Sequence, residues 1–88
     1  MPPFETIWGR IQQHEGELFT QIRGGEFRYE VQDGCVKPDR VNQIISRNQF
    51  ERAFQLVPLE NTKPIQKLRG PSFIYAILMD KRIRKNNW

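Results

Sequence analysis

The stretch ELFTQIRGGEFRYEVQDGCVKPDRV, residues 17–41, has two turn signals set among alternating apolar and polar residues. Gly24-Gly25 and Asp33-Gly34 both suit a two-residue type I′ turn, whose two central residues need a positive φ. Turns of this type join neighbouring antiparallel strands. The stretch therefore predicts a three-stranded antiparallel meander, around which the rest of the fold is arranged.

Two-residue turns fix the register of the meander, because the strand residues then pair by simple counting. The pairs predicted across the first turn bring six side chains to one face: Ile22–Phe27, Thr20–Tyr29 and Leu18–Val31. Across the second turn the register pairs Val31 with Val36. On the other face it pairs opposite charges, at Glu30–Lys37 and Arg28–Asp39. Pro38 predicts that the third strand is an edge strand, since proline donates no backbone hydrogen bond to a neighbour.

The same register places Phe19 on the outward face of the meander, beside Arg23 and Arg28. An exposed ring among arginines is typical of surfaces that stack on nucleic-acid bases. Glu26 and Glu30 on that face oppose such a role. The alternatives are that another helix covers Phe19 or that its ring simply lies exposed.

A helix is predicted before the meander, at residues 4–14. Apolar side chains recur there at i, i+3, i+4 and i+7, which places them on one face of a helix. These residues are Phe4, Ile7, Trp8 and Ile11. Gly16 is suited to end the helix, because glycine adopts the left-handed conformation without steric cost.

A second helix is predicted after the meander, with Ser46 as its N-cap and Pro58 at its end. Ser46 and Gln49 have the spacing of a capping box, in which each side chain bonds the backbone N–H of the other residue. Ile45 and Phe50 have the spacing of a hydrophobic staple. The apolar stripe that faces inward consists of Phe50, Ala53, Phe54 and Val57.

A connecting loop at residues 58–71 and a third helix from about Phe73 to Arg84, with Ser72 as N-cap, complete the chain. A strand over Phe73–Met79 is the alternative, because a short apolar run suits either element. The predicted fold class is therefore α+β. It consists of an N-terminal helix, a three-stranded antiparallel meander, and two helices packed on one face of the sheet.

The 88 residues predict one small globular domain, residues 1–88, because so short a chain cannot divide its apolar residues between two cores. Residues 85–88 are the part expected to be disordered. Cys35 is the only cysteine, so no disulfide forms within the chain. The longest apolar run, Phe73–Met79, is far shorter than the roughly 20 residues that cross a bilayer. We therefore expect a cytoplasmic protein without membrane contact.

Positive charge is concentrated towards the C-terminus of the chain. Residues 1–62 contain seven Lys and Arg against nine Asp and Glu, a balance of −2, within a whole-chain charge of +4. Residues 63–88 contain seven Lys and Arg against Asp80 alone, a balance of +6. So uneven a distribution favours an acidic partner.

We predict that these cations form one basic patch that binds nucleic acid, DNA or RNA, in a small non-catalytic accessory module. The predicted nucleic-acid-binding residues are Lys63, Lys67, Arg69, Lys81, Arg82, Arg84, Lys85 and Trp88. Trp88 is included because its ring could stack on a base. One alternative is a protein-interaction module (a subunit, inhibitor or adaptor) that uses the apolar C-terminal helix and the Pro38 edge strand, with an acidic protein as a further candidate partner. A second is that the cations only offset the dipole of the last helix.

No pattern in the sequence indicates catalysis or a cofactor. His14 is the only histidine and lies at a predicted helix end, where its charged form suits the helix dipole. Cys35 has no neighbouring base that could activate it. Gly24-Gly25 lacks the lysine and the following helix of a phosphate-binding loop. We therefore expect no enzymatic activity, no cofactor and no metal site.

Overall fold

The computed structural model describes residues 1–88 and has the predicted α+β class. The four α-helices are α1 (Phe4–Gln13), α2 (Arg47–Phe54), α3 (Pro71–Leu78) and α4 (Lys81–Arg84). The five strands are β1 (Phe19–Thr20), β2 (Glu26–Phe27), β3 (Tyr29–Gln32), β4 (Cys35–Pro38) and β5 (Ile45–Ser46). A two-stranded sheet, β1-β2, precedes a three-stranded antiparallel sheet in the order β3-β4-β5, and the helices pack against the sheet.

The first helix is confirmed to within one residue of its predicted end. Its four stripe residues are all buried, namely Phe4, Ile7, Trp8 and Ile11. They join one cluster of 20 buried apolar residues, and no polar or charged residue is buried in the protein. None of the helices combines the length and the apolar composition needed to span a membrane.

The second predicted turn is confirmed, and β3 pairs with β4 in the expected register. Asp33 and Gly34 have φ values of 53° and 72°, the positive values that a type I′ turn requires. Val31 lies opposite Val36. Beyond the paired residues, the Asp39 N–H donates to the backbone oxygen of Arg28 at 2.9 Å.

The predicted register of the first hairpin is wrong. The observed pairs are Phe19–Phe27 and Thr20–Glu26, and residues 21–25 form the loop between them. Phe19 is only 1% exposed, whereas Leu18 and Ile22 are 42% and 49% exposed. The observed register buries the larger aromatic ring, which removes more apolar surface from water than either aliphatic side chain.

The prediction of an edge strand at Pro38 is also wrong, because β4 lies in the centre of its sheet. β5 pairs with the first half of β4, at Val36–Ile45 and Cys35–Ser46. Pro38 lies beyond that pairing, so its lack of an N–H leaves no gap in the sheet. A strand of only two residues has too short an alternation to be recognised in sequence.

Ser46 is the N-cap of α2, as predicted, but the capping box does not form. The Ser46 side chain makes no capping hydrogen bond. The side-chain oxygen of Gln49 instead accepts from the backbone N–H of Arg69 at 2.9 Å, which ties α2 to the segment before α3. Ile45 and Phe50, the predicted staple residues, are both fully buried.

The apolar run from Phe73 to Leu78 is helical, as predicted, and does not form a strand. The observed helix begins earlier than predicted and is interrupted before Arg84. α3 begins at Pro71, and its N-cap is Gly70 (φ 61°), not Ser72. It ends at Leu78, and a separate short helix follows. Asp80 caps that helix by accepting from the backbone N–H of Arg82 at 2.9 Å.

The segment between α2 and α3 is not a structureless loop. It contains a 3₁₀ turn, Lys63–Ile65. Leu59 and Ile65 insert into the core, with 3% and 1% of their surface exposed. These two anchors hold the segment on the core. Thr62, between them, and Gln66, Lys67 and Arg69, after them, border grooves at the surface.

Candidate nucleic-acid interface

The predicted cations form two groups at opposite ends of α3 instead of one patch. Lys67 and Arg69 line a groove beside the start of α3, whereas Lys81, Arg82 and Arg84 line a second groove beyond its end. The two grooves share no residue. The eight-residue helix between them spans about 12 Å at about 1.5 Å per residue.

Arg82 is occupied by contacts within the protein. Its guanidinium donates to both carboxylate oxygens of Asp80 at 2.8 and 2.9 Å, and to Oε1 of Glu17 at 3.0 Å. It also donates to the backbone oxygen of Leu18 at 2.8 Å. Two carboxylates therefore offset its charge, and the side chain joins α4 to the segment after α1.

The acids around Arg82 have lowered pKa values. Hydrogen bonds from His14 and Arg82 lower the pKa of Glu17. Partial burial tends to raise the pKa of Asp80, but the hydrogen bonds and charge of Arg82 outweigh it, so that this pKa also lies below its usual range. The hydrogen bonds to Asp80 in turn raise the pKa of Arg82 further. All three groups are charged at neutral pH and largely satisfy one another.

Trp88 is also engaged inside the fold. Its ring packs edge-on against Phe54, with the centroids 5.4 Å apart, and its indole N–H donates to the backbone oxygen of Leu78 at 3.1 Å. Arg84 donates to the backbone oxygen of Trp88. These contacts leave Lys81 and Lys85 as the exposed predicted cations at this end of the protein.

Two further exposed arginines are absent from the predicted nucleic-acid-binding residues: Arg23, near the start of α3, and Arg40, beside β2. Arg23 borders a groove with Thr62, Gln66 and Ser72, and this groove shares Pro71 with the groove of Lys67 and Arg69. Arg40 donates to the backbone oxygen of Glu26 at 3.0 Å, which holds the β4–β5 loop against β2. Arg23 could not be located from the sequence pattern, because that pattern predicts a two-residue turn in the first hairpin. The observed loop, residues 21–25, is longer and contains Arg23.

A hydrogen bond brings the β1–β2 loop to α3. The side-chain amide of Gln21 donates to the hydroxyl of Ser72 at 2.9 Å. Gln43 and Ile44 of the β4–β5 loop line the same groove as Gly70 and Pro71. Three segments that are distant in sequence thus meet at the start of this helix: the β1–β2 loop, the β4–β5 loop and the segment before α3. We call their cationic side chains the junction surface, which consists of Arg23, Arg40, Lys63, Lys67 and Arg69.

None of the junction-surface cations has a carboxylate partner. All five are exposed, and the ion pairs of the protein lie elsewhere, at Glu5–Arg47, at His14–Glu17 and around Arg82. Glu26 approaches Arg40 only through its backbone oxygen. Several positive charges of the junction surface are therefore free to meet an anion.

The groove of Lys67 and Arg69, here called the connector groove, has a volume of about 660 Å³. Its remaining lining residues are Gln43, Ile44, Ser46, Gln49, Leu68, Gly70 and Pro71. The wall at Gly70 is closely packed, because a Cβ added there would lie 2.6 Å from Cδ1 of Ile45. The groove thus combines two cations with amide and hydroxyl groups, and its backbone at Gly70 is closely packed against the core.

The surfaces predicted for a protein-interaction module are not free. The apolar residues of α3 are in the core, with Ile74, Ile77 and Leu78 fully buried. Pro38, on the predicted edge strand, is buried too. Phe19, predicted on the outward face of the meander, lies beneath Arg82.

The remaining reactive side chains form no recognisable centre. His14 Nδ1 lies 3.0 Å from a carboxylate oxygen of Glu17, and Cys35 is half-buried in β4. No three side chains among His, Cys, Asp and Glu come together in a way that could hold a metal ion.

No protein-family model, curated protein or solved structure gives a significant match to this chain. What the protein binds must therefore be inferred from the charges and contacts of its own surface.

Proposed function

We propose that this protein is a small non-catalytic module that binds nucleic acid, DNA or RNA, through the junction surface. The observation that carries the proposal is that Arg23, Lys67 and Arg69 line adjoining grooves at the start of α3. These three cations, and Arg40 and Lys63 on the same segments, are exposed and have no ion-pair partner. Each cation that contacts a phosphate releases condensed counterions, which favours binding to a polyanion. On the sequence grounds given above, we assign this activity to the cytoplasm.

The distribution of the charges favours a long polyanion over a small acidic metabolite. The cations lie along the β1–β2 loop, the β4–β5 loop and the segment that precedes α3, and not around a single closed pocket. A nucleic-acid backbone offers phosphates at regular intervals and can reach several of these positions together. Five phosphate contacts predict a slope of roughly −4.5 in log K against log salt for duplex DNA, and roughly −3.5 for a single strand.

The exposed tail cations Lys81 and Lys85 make a smaller contribution in this proposal. They lie beyond the other end of α3, and Arg82 between them is already paired with Asp80 and Glu17. A nucleic-acid backbone bound at the junction surface reaches Lys81 and Lys85 only if it runs along the length of α3.

Fluorescence anisotropy with labelled DNA duplexes, RNA duplexes and single strands, measured over a range of salt concentrations, tests the proposal. The key variant replaces Arg23, Lys67 and Arg69 with Gln. The control variant replaces Arg52, Lys81 and Lys85 with Gln, which removes the same charge from exposed residues outside the junction surface.

We expect the key variant to bind at least about tenfold more weakly than the control and to lower the salt slope by about 3. If the wild-type protein binds no nucleic acid at low salt, the proposed function is wrong. If both triple variants lose the same affinity, binding depends on net charge alone and the junction surface is not the interface.

A further inference from the structure

We propose that the connector groove is the seat for one phosphate group of the bound backbone, and that Gln49 is the residue that donates to it. This inference rests on the proposed function and deepens it. It assigns to one groove a specific ligand group, a phosphodiester, and names donors that are not cations.

Gln49 is held in place by its oxygen atom, which leaves its nitrogen free. Oε1 accepts from the backbone N–H of Arg69 at 2.9 Å, across the gap between α2 and the segment before α3. Nε2 makes no hydrogen bond within the protein, although the residue lines the groove. An amide fixed in this way presents two N–H donors to a ligand.

Other side chains of the groove also have unused donors. Ser46 occupies the N-cap position of α2 without using its hydroxyl as a cap, and Gln43 makes no side-chain hydrogen bond. Lys67 and Arg69 supply positive charge on the same groove, and its lining contains no Asp or Glu. The groove is therefore rich in donors and suited to an oxyanion.

The lining of the groove favours a phosphate over a base. Amides, a hydroxyl, a guanidinium and an ammonium all match phosphate oxygens, which take most of the hydrogen bonds in protein–nucleic acid complexes. No aromatic ring borders the groove on which a base could stack. We therefore expect contacts here that are independent of nucleotide sequence.

The groove is preorganised by the start of α3. Gly70 has a φ of 61° and lies against Ile45, and Pro71 follows as the first helical residue. The hydrogen bond between Gln49 and Arg69 ties α2 to the residue before Gly70. Donors that are already ordered lose little conformational freedom when a ligand binds.

The substitution Gln49→Glu tests the seat without removing its structural contact. A carboxylate oxygen can still accept from the Arg69 N–H, while the free NH₂ group becomes a second, negatively charged oxygen that repels phosphate. The matched control is Gln12→Glu, on the exposed surface of α1, which changes the net charge by the same amount. Thermal unfolding of both variants checks that the fold is retained.

We expect Gln49→Glu to weaken binding of DNA and RNA duplexes about tenfold or more, because a like charge is costly next to a phosphate. Gln12→Glu should weaken it less than about threefold, as a distant exposed charge does when salt screens it. If wild-type protein binds but the two variants are equal, the seat is wrong and the proposed function stands. If wild-type protein does not bind, the proposed function itself fails.

Titration of ¹⁵N-labelled protein with inorganic pyrophosphate gives a second readout that needs no nucleic acid. Saturable shifts of the Gln49 side-chain amide and the Arg69 backbone amide support the seat. Shifts spread evenly over the exposed lysines, or no shift at Gln49, overturn it.

Discussion

The guanidinium carbon of Arg82 lies 3.8 Å from the centre of the Phe19 ring, so each side chain covers the other. Phe19 is thereby buried, and Arg82 is held over it by hydrogen bonds to Asp80, Glu17 and the backbone of Leu18. A cation above an aromatic face is attracted by the ring in addition to its ion pairs. In the sequence, Phe19 and Arg82 both suggest a nucleic-acid-binding surface. In the structure, their contact holds α4 against β1.

Replacing Arg82 should lower stability and leave nucleic-acid binding nearly unchanged. Arg82→Gln removes four side-chain hydrogen bonds and the contact with Phe19, so we expect a loss of about 2–3 kcal/mol in the free energy of unfolding. Urea unfolding measures the loss. The neighbouring control Lys81→Gln, an exposed residue without a partner, should change stability by less than about 0.5 kcal/mol. Similar effects of the two substitutions would show that Arg82 is an ordinary surface residue.

Acid should destabilise the protein, because it protonates Asp80 and Glu17, the two carboxylates that pair with Arg82. Because the pKa values of Asp80 and Glu17 are lowered in the folded protein, their stabilising effect is complete above their unfolded values of 3.8 and 4.5. It is lost as the pH falls through the lower folded values. Urea unfolding between about pH 6 and pH 2 should show a steeper decline for the wild-type protein than for Arg82→Gln. If the unfolding free energies of the two proteins fell in parallel with pH, Arg82 would not be what lowers the pKa values of these acids.

Two glycine substitutions should change stability in opposite directions. Gly70→Ala puts a Cβ on a residue with φ 61° and brings it 2.6 Å from Ile45, so we expect a loss of at least about 1–2 kcal/mol. Gly9→Ala adds a methyl group in open space within α1, which should raise stability by roughly 0.5–1 kcal/mol. Chemical unfolding of both variants is the measurement. A neutral Gly70→Ala would mean that the connector can shift away from Ile45.

Trp88 should act as an anchor and not as a base-stacking residue. Trp88→Ala removes the packing against Phe54 and the hydrogen bond to Leu78, so we expect a loss of about 2 kcal/mol in stability. Trp88→Phe keeps a ring and should lose about 1 kcal/mol. Anisotropy, measured where both variants remain folded, should give wild-type affinity. A large loss of affinity in both variants would restore Trp88 to the interface.

Elements whose evidence is local can be predicted from the amino-acid order alone. The spacing of Phe4, Ile7, Trp8 and Ile11 defines α1, because residues three and four apart share a helix face. Asp33 and Gly34 define the second turn, since few residues adopt the positive φ that it needs. The apolar run that forms α3 and the C-terminal excess of cations are likewise visible without coordinates.

Which side chains are engaged in contacts within the protein, and which are free to bind a ligand, depends on contacts between segments that are distant in sequence. Gln49 bonds Arg69 twenty residues away, in place of the capping box with Ser46, and Arg82 finds Glu17 across most of the chain. Burial of Phe19 set the register of the first hairpin against the turn pattern. Local spacing limits what a segment can form, whereas the largest gains in burial and charge pairing come from segments that meet only in the folded chain.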